Sequence, residues 1–266
     1  MALLELNFYS QSLFSFTSVN VLLPELYSSS DCKEHVDTGA KLQTLYLLHG
    51  LNGDHTSWTR RSSIERYAGA YQLAVVMPAV SNSFYSDMAY GSPYFTFVTE
   101  ELPHVMRYYF PLSDKREDNF VAGLSMGGYG AMKWALAKPE TVGAAASLSG
   151  AVDIVGLVKS YPQEYAAQTK MIMGDREIEG SCNDLFHLAH EDVKKSVSLP
   201  KLIACCGTED FLHEGNLHFK DKLEKLGIPL EYFEEPGVHE WDFWDRNIQR
   251  ILSMLPLKKR IYKIEH

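Results

Sequence analysis

Phe120-Val121-Ala122-Gly123-Leu124-Ser125-Met126-Gly127-Gly128-Tyr129-Gly130-Ala131 commits the chain to an architecture before any other segment is weighed. A short apolar strand, Phe120 to Ala122, runs straight into Gly123-Leu124-Ser125-Met126-Gly127, a match to G-x-S-x-G, and Met126 to Lys138 then reads as a helix. Strand, sharp turn and helix in that order are what a nucleophile elbow demands, and this context is far more specific than the five-residue pattern. The turn is so tight that flanking side chains must be minimal, and Gly123 and Gly127 remove the Cβ atoms that would collide. Ser125 is thereby held proud of the sheet. The helix behind it points its free N–H groups and partial positive charge at the reacting centre.

The rest of the chain fits the same plan. Leu45 to Leu48 and Leu73 to Met77 are continuous apolar runs, as expected of strands buried on both faces. Ala144 to Leu148, Leu202 to Cys206 and Leu230 to Phe233 are further strands, and the first 23 residues hold two more. Helical stripes alternate with them: Phe95, Val98, Leu102, Val105 and Tyr109; Phe219, Leu223 and Leu226; Trp241, Trp244, Ile248, Ile251 and Leu255. Pro103 predicts a kink or a helix start inside the first stripe, and Ser62-Ser63-Ile64-Glu65 has capping-box spacing. A polar loop runs from Ser28 to Ala40. The expectation is one domain over 1–266 of the α/β-hydrolase fold, with a mostly parallel central sheet and helices on both faces. The segment 151–198 is longer than a crossover needs and is expected to be a helical cap insertion.

A serine hydroxyl needs a general base, and the base needs an orienting carboxylate. In this fold the order along the chain is Ser, acid, His. Asp210 follows the strand Leu202 to Cys206 by a short turn, with the apolar pair Phe211-Leu212 beside it to anchor it inward. Glu209 is the nearest rival for the acid. His239 follows the strand Leu230 to Phe233 and directly precedes the last helix, whereas His213 and His218 lie too close to Asp210. The predicted catalytic residues are therefore Ser125, Asp210 and His239. The oxyanion donors are expected to be the backbone N–H groups of Met126, the residue after the nucleophile, and of Leu51, in the glycine-rich His49-Gly50-Leu51-Asn52-Gly53 turn after an early strand. Gly50 and Trp58 are candidate substrate contacts, and Tyr90, Tyr161 and Tyr165 are further aromatics that could line a pocket.

Composition narrows the function classes. A net charge of -9, from 25 Lys plus Arg and 34 Asp plus Glu, argues against nucleic acid as a partner. No apolar run is long enough to span a bilayer, and the first ten residues lack a basic n-region. Cys205 and Cys206 are adjacent inside an apolar run, which suits buried thiols and a reducing cytoplasm. His187 and His190 have helical metal-ligand spacing, but no metal is expected there. Lys258-Lys259-Arg260 reads as a solvated basic tail.

Tyr46-Leu47-Leu48-His49-Gly50, Ser125-Met126-Gly127-Gly128-Tyr129-Gly130-Ala131, Asp210-Phe211-Leu212 and His239-Glu240-Trp241 together resemble the esterase D group. That group includes S-formylglutathione hydrolases, feruloyl and acetyl xylan esterases and mycolyltransferases. The likeness is strongest to the small tributyrin esterases of streptococci and lactococci and runs over nearly the whole chain. The resemblance implies hydrolysis of short acyl esters by a serine carboxylesterase, no cofactor, a small-molecule ester as partner, and a homo-oligomer. It carries the triad onto Ser125, Asp210 and His239, and the oxyanion donors onto Leu51 and Met126. The rival functions are a thioesterase of the S-formylglutathione hydrolase type, an esterase acting on carbohydrate esters, an acyltransferase, and a catalytically inactive binding module.

Overall fold

Leu45 and Leu47 face one side of the central sheet, Tyr46 and Leu48 the other, and all four are buried. This is the two-residue period of a strand with a hydrophobic core on each side. The computed structural model describes residues 1–25 and 41–258. The polar loop from Ser28 to Ala40, with Cys32, and the tail residues Lys259 and Arg260 lie outside the described residues.

Among the described residues the sheet has eight strands: β1 (Ala2–Ser10), β2 (Ser15–Leu23), β3 (Thr44–Leu48), β4 (Ala74–Pro78), β5 (Asn119–Leu124), β6 (Ala144–Leu148), β7 (Lys201–Gly207) and β8 (Leu230–Glu235). Their spatial order is β1-β2-β4-β3-β5-β6-β7-β8. β1 and β2 form an antiparallel hairpin, and β2 meets β4 antiparallel. Every pairing from β4 to β8 is parallel. The sheet is therefore mostly parallel, and its strands from β3 onward present their carboxyl ends at one edge, where ligands bind in open α/β sheets.

The helices are α1 (Ser57–Arg61), α2 (Ile64–Gly69), α3 (Tyr94–Thr96), α4 (Leu102–Tyr109), α5 (Met126–Ala137), α6 (Ile154–Ser160), α7 (Pro162–Met173), α8 (Leu185–Lys194), α9 (His213–Lys225) and α10 (Trp241–Met254). One core unites α4, α5, α8 and α9 with Tyr46, Val76 and Val121. The other unites α2 and α10 with Leu45, Val75 and Phe120. This is the α/β-hydrolase architecture.

Local details refine the sequence reading. Phe97–Glu101 is a π-helical turn joining α3 to α4, with Pro103 in the first turn of α4. Proline cannot donate to the ladder and crowds the preceding carbonyl, and widening the turn before it relieves both. The capping box at Ser62–Glu65 does not form. Ser63 is the N-cap of α2 without a side-chain bond, and its N–H is bound instead by the Asp245 carboxylate of α10 (2.9 Å). Lys258, at the start of the basic run, ion-pairs with Asp118 while most of its side chain stays exposed to solvent.

Residues 151–198 carry three helices that divide into two groups. α8 packs on α5 and α9 as an ordinary crossover helix, burying Leu185 and Ala189. α6 and α7 are the additional pieces, and the N-terminal half of α7 reaches the sheet edge described below. Among the described residues, no helix is long and apolar enough to cross a membrane.

Candidate active site

The elbow is built by contact distances that leave no room for side chains. A Cβ on Gly123 would sit 2.4 Å from the Gly127 carbonyl group, and one on Gly127 would sit 2.4 Å from the Leu48 oxygen. Ser125 between them adopts φ +54°, ψ −118°, a conformation that L-residues occupy only under constraint. The constraint is visible: its N–H donates to the Leu148 carbonyl of β6 (2.9 Å), and its carbonyl accepts from Ala151 (3.1 Å) and Tyr129 (3.1 Å). Ser125 is also the N-cap of α5, so the first N–H groups of a 12-residue helix converge on it.

His239 joins the elbow to Asp210. Its Nε2 lies 2.9 Å from Ser125 Oγ, and its Nδ1 lies 2.8 Å and 3.1 Å from the two Asp210 carboxylate oxygens. A carboxylate can only accept, so the ring proton sits on Nδ1 and Nε2 is free to accept from the serine hydroxyl. Asp210 is buried, and its Oδ1 also accepts the Leu212 N–H (2.9 Å). Leu212 is buried as its neighbour's anchor, but Phe211 remains half exposed. The Phe211 ring stacks edge-on against His239 (4.8 Å between centroids), and Trp244 does so from another side (4.9 Å).

Glu209, the rival acid, points elsewhere. Its carboxylate accepts the Gly237 N–H (2.6 Å) while its own N–H donates to the Gly237 carbonyl (3.1 Å). That hydrogen bond holds the Glu209 carboxyl below its ordinary pKa. The loops after β7 and β8 cross so closely here that a Cβ on Gly207 would lie 2.1 Å from the Gly237 oxygen.

The turn at 49–53 lies beside the serine: a Cβ on Gly50 would be 3.4 Å from Ser125 Cβ. Its direction is set by His49, which is buried. Val80 N–H donates to His49 Nε2 (3.1 Å), which leaves the ring proton on Nδ1, 2.7 Å from the Gly50 carbonyl. Burial pushes the His49 pKa down and keeps the ring neutral, as this pattern requires. The Gly50 carbonyl also accepts from Gly53 N–H (3.1 Å). In a trans peptide the C=O and the following N–H point in opposite directions. Two donors clamping the Gly50 oxygen therefore aim the Leu51 N–H the other way, and it has no acceptor among the described residues. The Met126 N–H, first in α5, has none within its helix.

These groups line an open cleft of about 840 Å³ that includes Gly50, Leu51, Ser125, Phe211, His239, Trp241 and Trp244, with Tyr165 and Gln168 of α7 on its far wall. Trp58 is not among them, which corrects its reading as a substrate contact. It is only 1% exposed, its indole N–H donates to the Leu48 carbonyl (3.0 Å), and its ring packs on Trp241 (5.2 Å). Tyr90 is also off the cleft, its backbone bonded to Met171 and its ring exposed. Tyr161 packs on the outer face of Phe211 (6.3 Å). Two supporting residues were missed by sequence reasoning, Glu209 as a loop clasp and Lys133 as a buried cation. The second had a signal, a lone charge inside the apolar run of α5.

Known proteins match the chain along nearly its whole length. An acetyl esterase of Caldicellulosiruptor saccharolyticus is 35% identical over 255 residues, covering 93% of this chain and 96% of that one. A substrate-bound structure of FphF, a fluorophosphonate-binding serine hydrolase of Staphylococcus aureus, superposes with a TM-score of 0.87 at 35% identity, covering 97% and 99% of the two chains. The S-formylglutathione hydrolase FrmB of the same organism gives a TM-score of 0.81, also at 35% identity, covering 96% and 98%. The Esterase family model matches residues 10–255. The chain belongs to the Esterase family and is a serine carboxylesterase, a carboxylic ester hydrolase.

Proposed function

We propose that Ser125, Asp210 and His239 carry out two-step acyl transfer on short-chain acyl esters. The observation that carries this reading is the His239 ring, bonded to Ser125 Oγ through one nitrogen and to Asp210 through the other. His239 takes the Ser125 proton as Oγ attacks the ester carbonyl, and the carbonyl oxygen becomes an oxyanion held by the Leu51 and Met126 N–H groups. His239 gives its proton to the leaving alcohol as the C–O bond breaks. Water then attacks the acyl-enzyme as His239 takes its proton, and His239 returns that proton to Ser125 Oγ as the bond to the acyl group breaks and the carboxylic acid leaves. Asp210 holds the His239 tautomer throughout. We read α6 and α7 as the cap over this cleft, the protein as a homo-oligomer, and its compartment as the reducing cytoplasm that buried Cys205 and Cys206 suit.

The test is hydrolysis of p-nitrophenyl acetate, butyrate and octanoate by the wild type and Ser125→Ala. The expected outcome is turnover of the two shorter esters that Ser125→Ala abolishes. A folded wild type inert on all three, or an active Ser125→Ala, overturns the reading. The similarity to FrmB favours one second reading, a thioesterase using the same residues. Higher kcat/KM on S-formylglutathione than on p-nitrophenyl acetate would select it.

A further inference from the structure

Lys133 lies about two helical turns beyond Ser125 in α5 and is 2% exposed. Its ammonium donates to the Tyr85 carbonyl (3.1 Å), the Ser86 hydroxyl (2.9 Å) and the Asn183 side-chain oxygen (2.5 Å), so three donors meet three acceptors. The Phe95 ring lies 4.7 Å from the nitrogen. Burying a charge is costly even when it is fully bonded, and the acyl-transfer steps above make no use of this one.

The partners of Lys133 come from two separate segments. Tyr85 and Ser86 belong to the loop after β4, and Asn183 belongs to the helical insertion. Phe84 and Tyr85 have φ values of +48° and +47°, a strained region for bulky residues that survives only where the surroundings over-determine it. Tyr85 then reaches back to the cleft. Its hydroxyl donates to the His49 carbonyl (2.9 Å), and His49 is the residue whose imidazole clamps the Gly50 oxygen and so aims the Leu51 N–H. Asn183 is fastened to α5 a second time, its carbonyl accepting the Tyr129 hydroxyl (2.7 Å).

We infer that Lys133 and Tyr85 are positioning residues for the oxyanion loop, and that they tie its geometry to the seating of the 151–198 insertion on the helix behind the nucleophile. The inference rests on the proposed roles of Ser125 and of the Leu51 N–H. The backbone of Tyr85 is held by Lys133, and the hydroxyl of Tyr85 holds the peptide that leads into the turn.

The experiment compares Tyr85→Phe, Lys133→Met and the double variant on p-nitrophenyl butyrate, with butylboronic acid as a tetrahedral-state mimic. Tyr85→Phe should lower kcat roughly tenfold to a hundredfold, weaken butylboronic acid by a similar factor, and leave KM within about twofold. Lys133→Met should give the same split, and the double variant should be little worse than the poorer single one, because both act through one link. A wild-type kcat in Tyr85→Phe, a loss confined to KM, or losses that multiply would overturn the inference. If Lys133→Met does not fold, Tyr85→Phe, which removes one oxygen atom, decides alone. Ser125→Ala in the same assay separates the two levels. Residual hydrolysis there defeats the Ser125 reading and this inference with it, whereas an inert Ser125→Ala beside a wild-type Tyr85→Phe defeats this inference only.

Discussion

The Glu209 carboxylate accepts the Gly237 N–H at 2.6 Å, and through that bond the loop bearing Asp210 holds the loop bearing His239. Two adjacent carboxylates thus have different work, one on the imidazole and one on the backbone that carries it. Asp210→Asn should fold normally and lose roughly ten-thousand-fold in kcat, because the wrong His239 tautomer is then favoured. Glu209→Gln keeps an acceptor for Gly237 and should lose less than about tenfold. Steady-state kinetics on p-nitrophenyl butyrate check both, and the reverse ranking would transfer the acid role to Glu209.

Gly123→Ala places a Cβ 2.4 Å from the Gly127 backbone, where no side chain can yield. The cost should exceed the roughly 1–3 kcal/mol of ordinary overpacking, because backbone rather than a rotamer must move. A urea titration should show a lowered midpoint with activity lost, and a variant as stable as the wild type would contradict the packing described for the elbow.

Trp58→Phe tests the reassignment of that residue from cleft to core. Removing the indole N–H leaves the Leu48 carbonyl without that donor and thins the packing against Trp241. Stability should fall by about 1–3 kcal/mol while KM stays within about twofold. A large rise in KM with unchanged stability would return Trp58 to the substrate site.

Lys133 supplies a pH prediction. Burial pushes its pKa down from 10.5 to about 8. Between these values the unfolded chain holds more protons than the native one, so raising the pH stabilises the fold through this group. The penalty is present in full below about pH 8 and is relieved as the pH rises toward 10.5. The wild type should therefore gain on the order of 3 kcal/mol relative to Lys133→Met across that window. Urea unfolding of both proteins at matched pH cancels the titrations they share, and a pH-independent difference would refute the assignment.

What the sequence disclosed and what it hid follow from the range of the forces involved. Strands such as Thr44–Leu48 and Ala144–Leu148 are legible because burial on both faces leaves an unbroken apolar run. Ser125 and the turn after β3 are legible because close backbone approach leaves glycine in the chain. His239 and Asp210 were found by order and position along the sheet, and 2.8 Å separates them across 29 residues of sequence. Trp58 misled because an aromatic after a glycine-rich turn reads identically whether it turns inward or outward. The capping box failed because Ser62 closes the helix before it, its hydroxyl and N–H both donating to the Trp58 carbonyl (2.6 and 3.1 Å). The clasping role of Glu209 and the role of Tyr85 stayed hidden since their partners are backbone groups, which leave no trace in residue identity.

The parallel ladder from β3 to β8 gives the site a tolerance. Leu48 pairs with Gly123, Leu124 with Leu148, Leu148 with Cys205, and Gly207 with Glu235, so the functional loops depart from neighbouring rows at one edge of the ladder. A slip of one residue along any strand is about 3.3 Å and turns its side chains to the opposite face. That displacement exceeds the 2.9 Å between Ser125 and His239. Misregistered folding therefore cannot yield a weakened enzyme, only an inactive one, and the onset of hydrolysis during refolding would report when the last strand has locked into place.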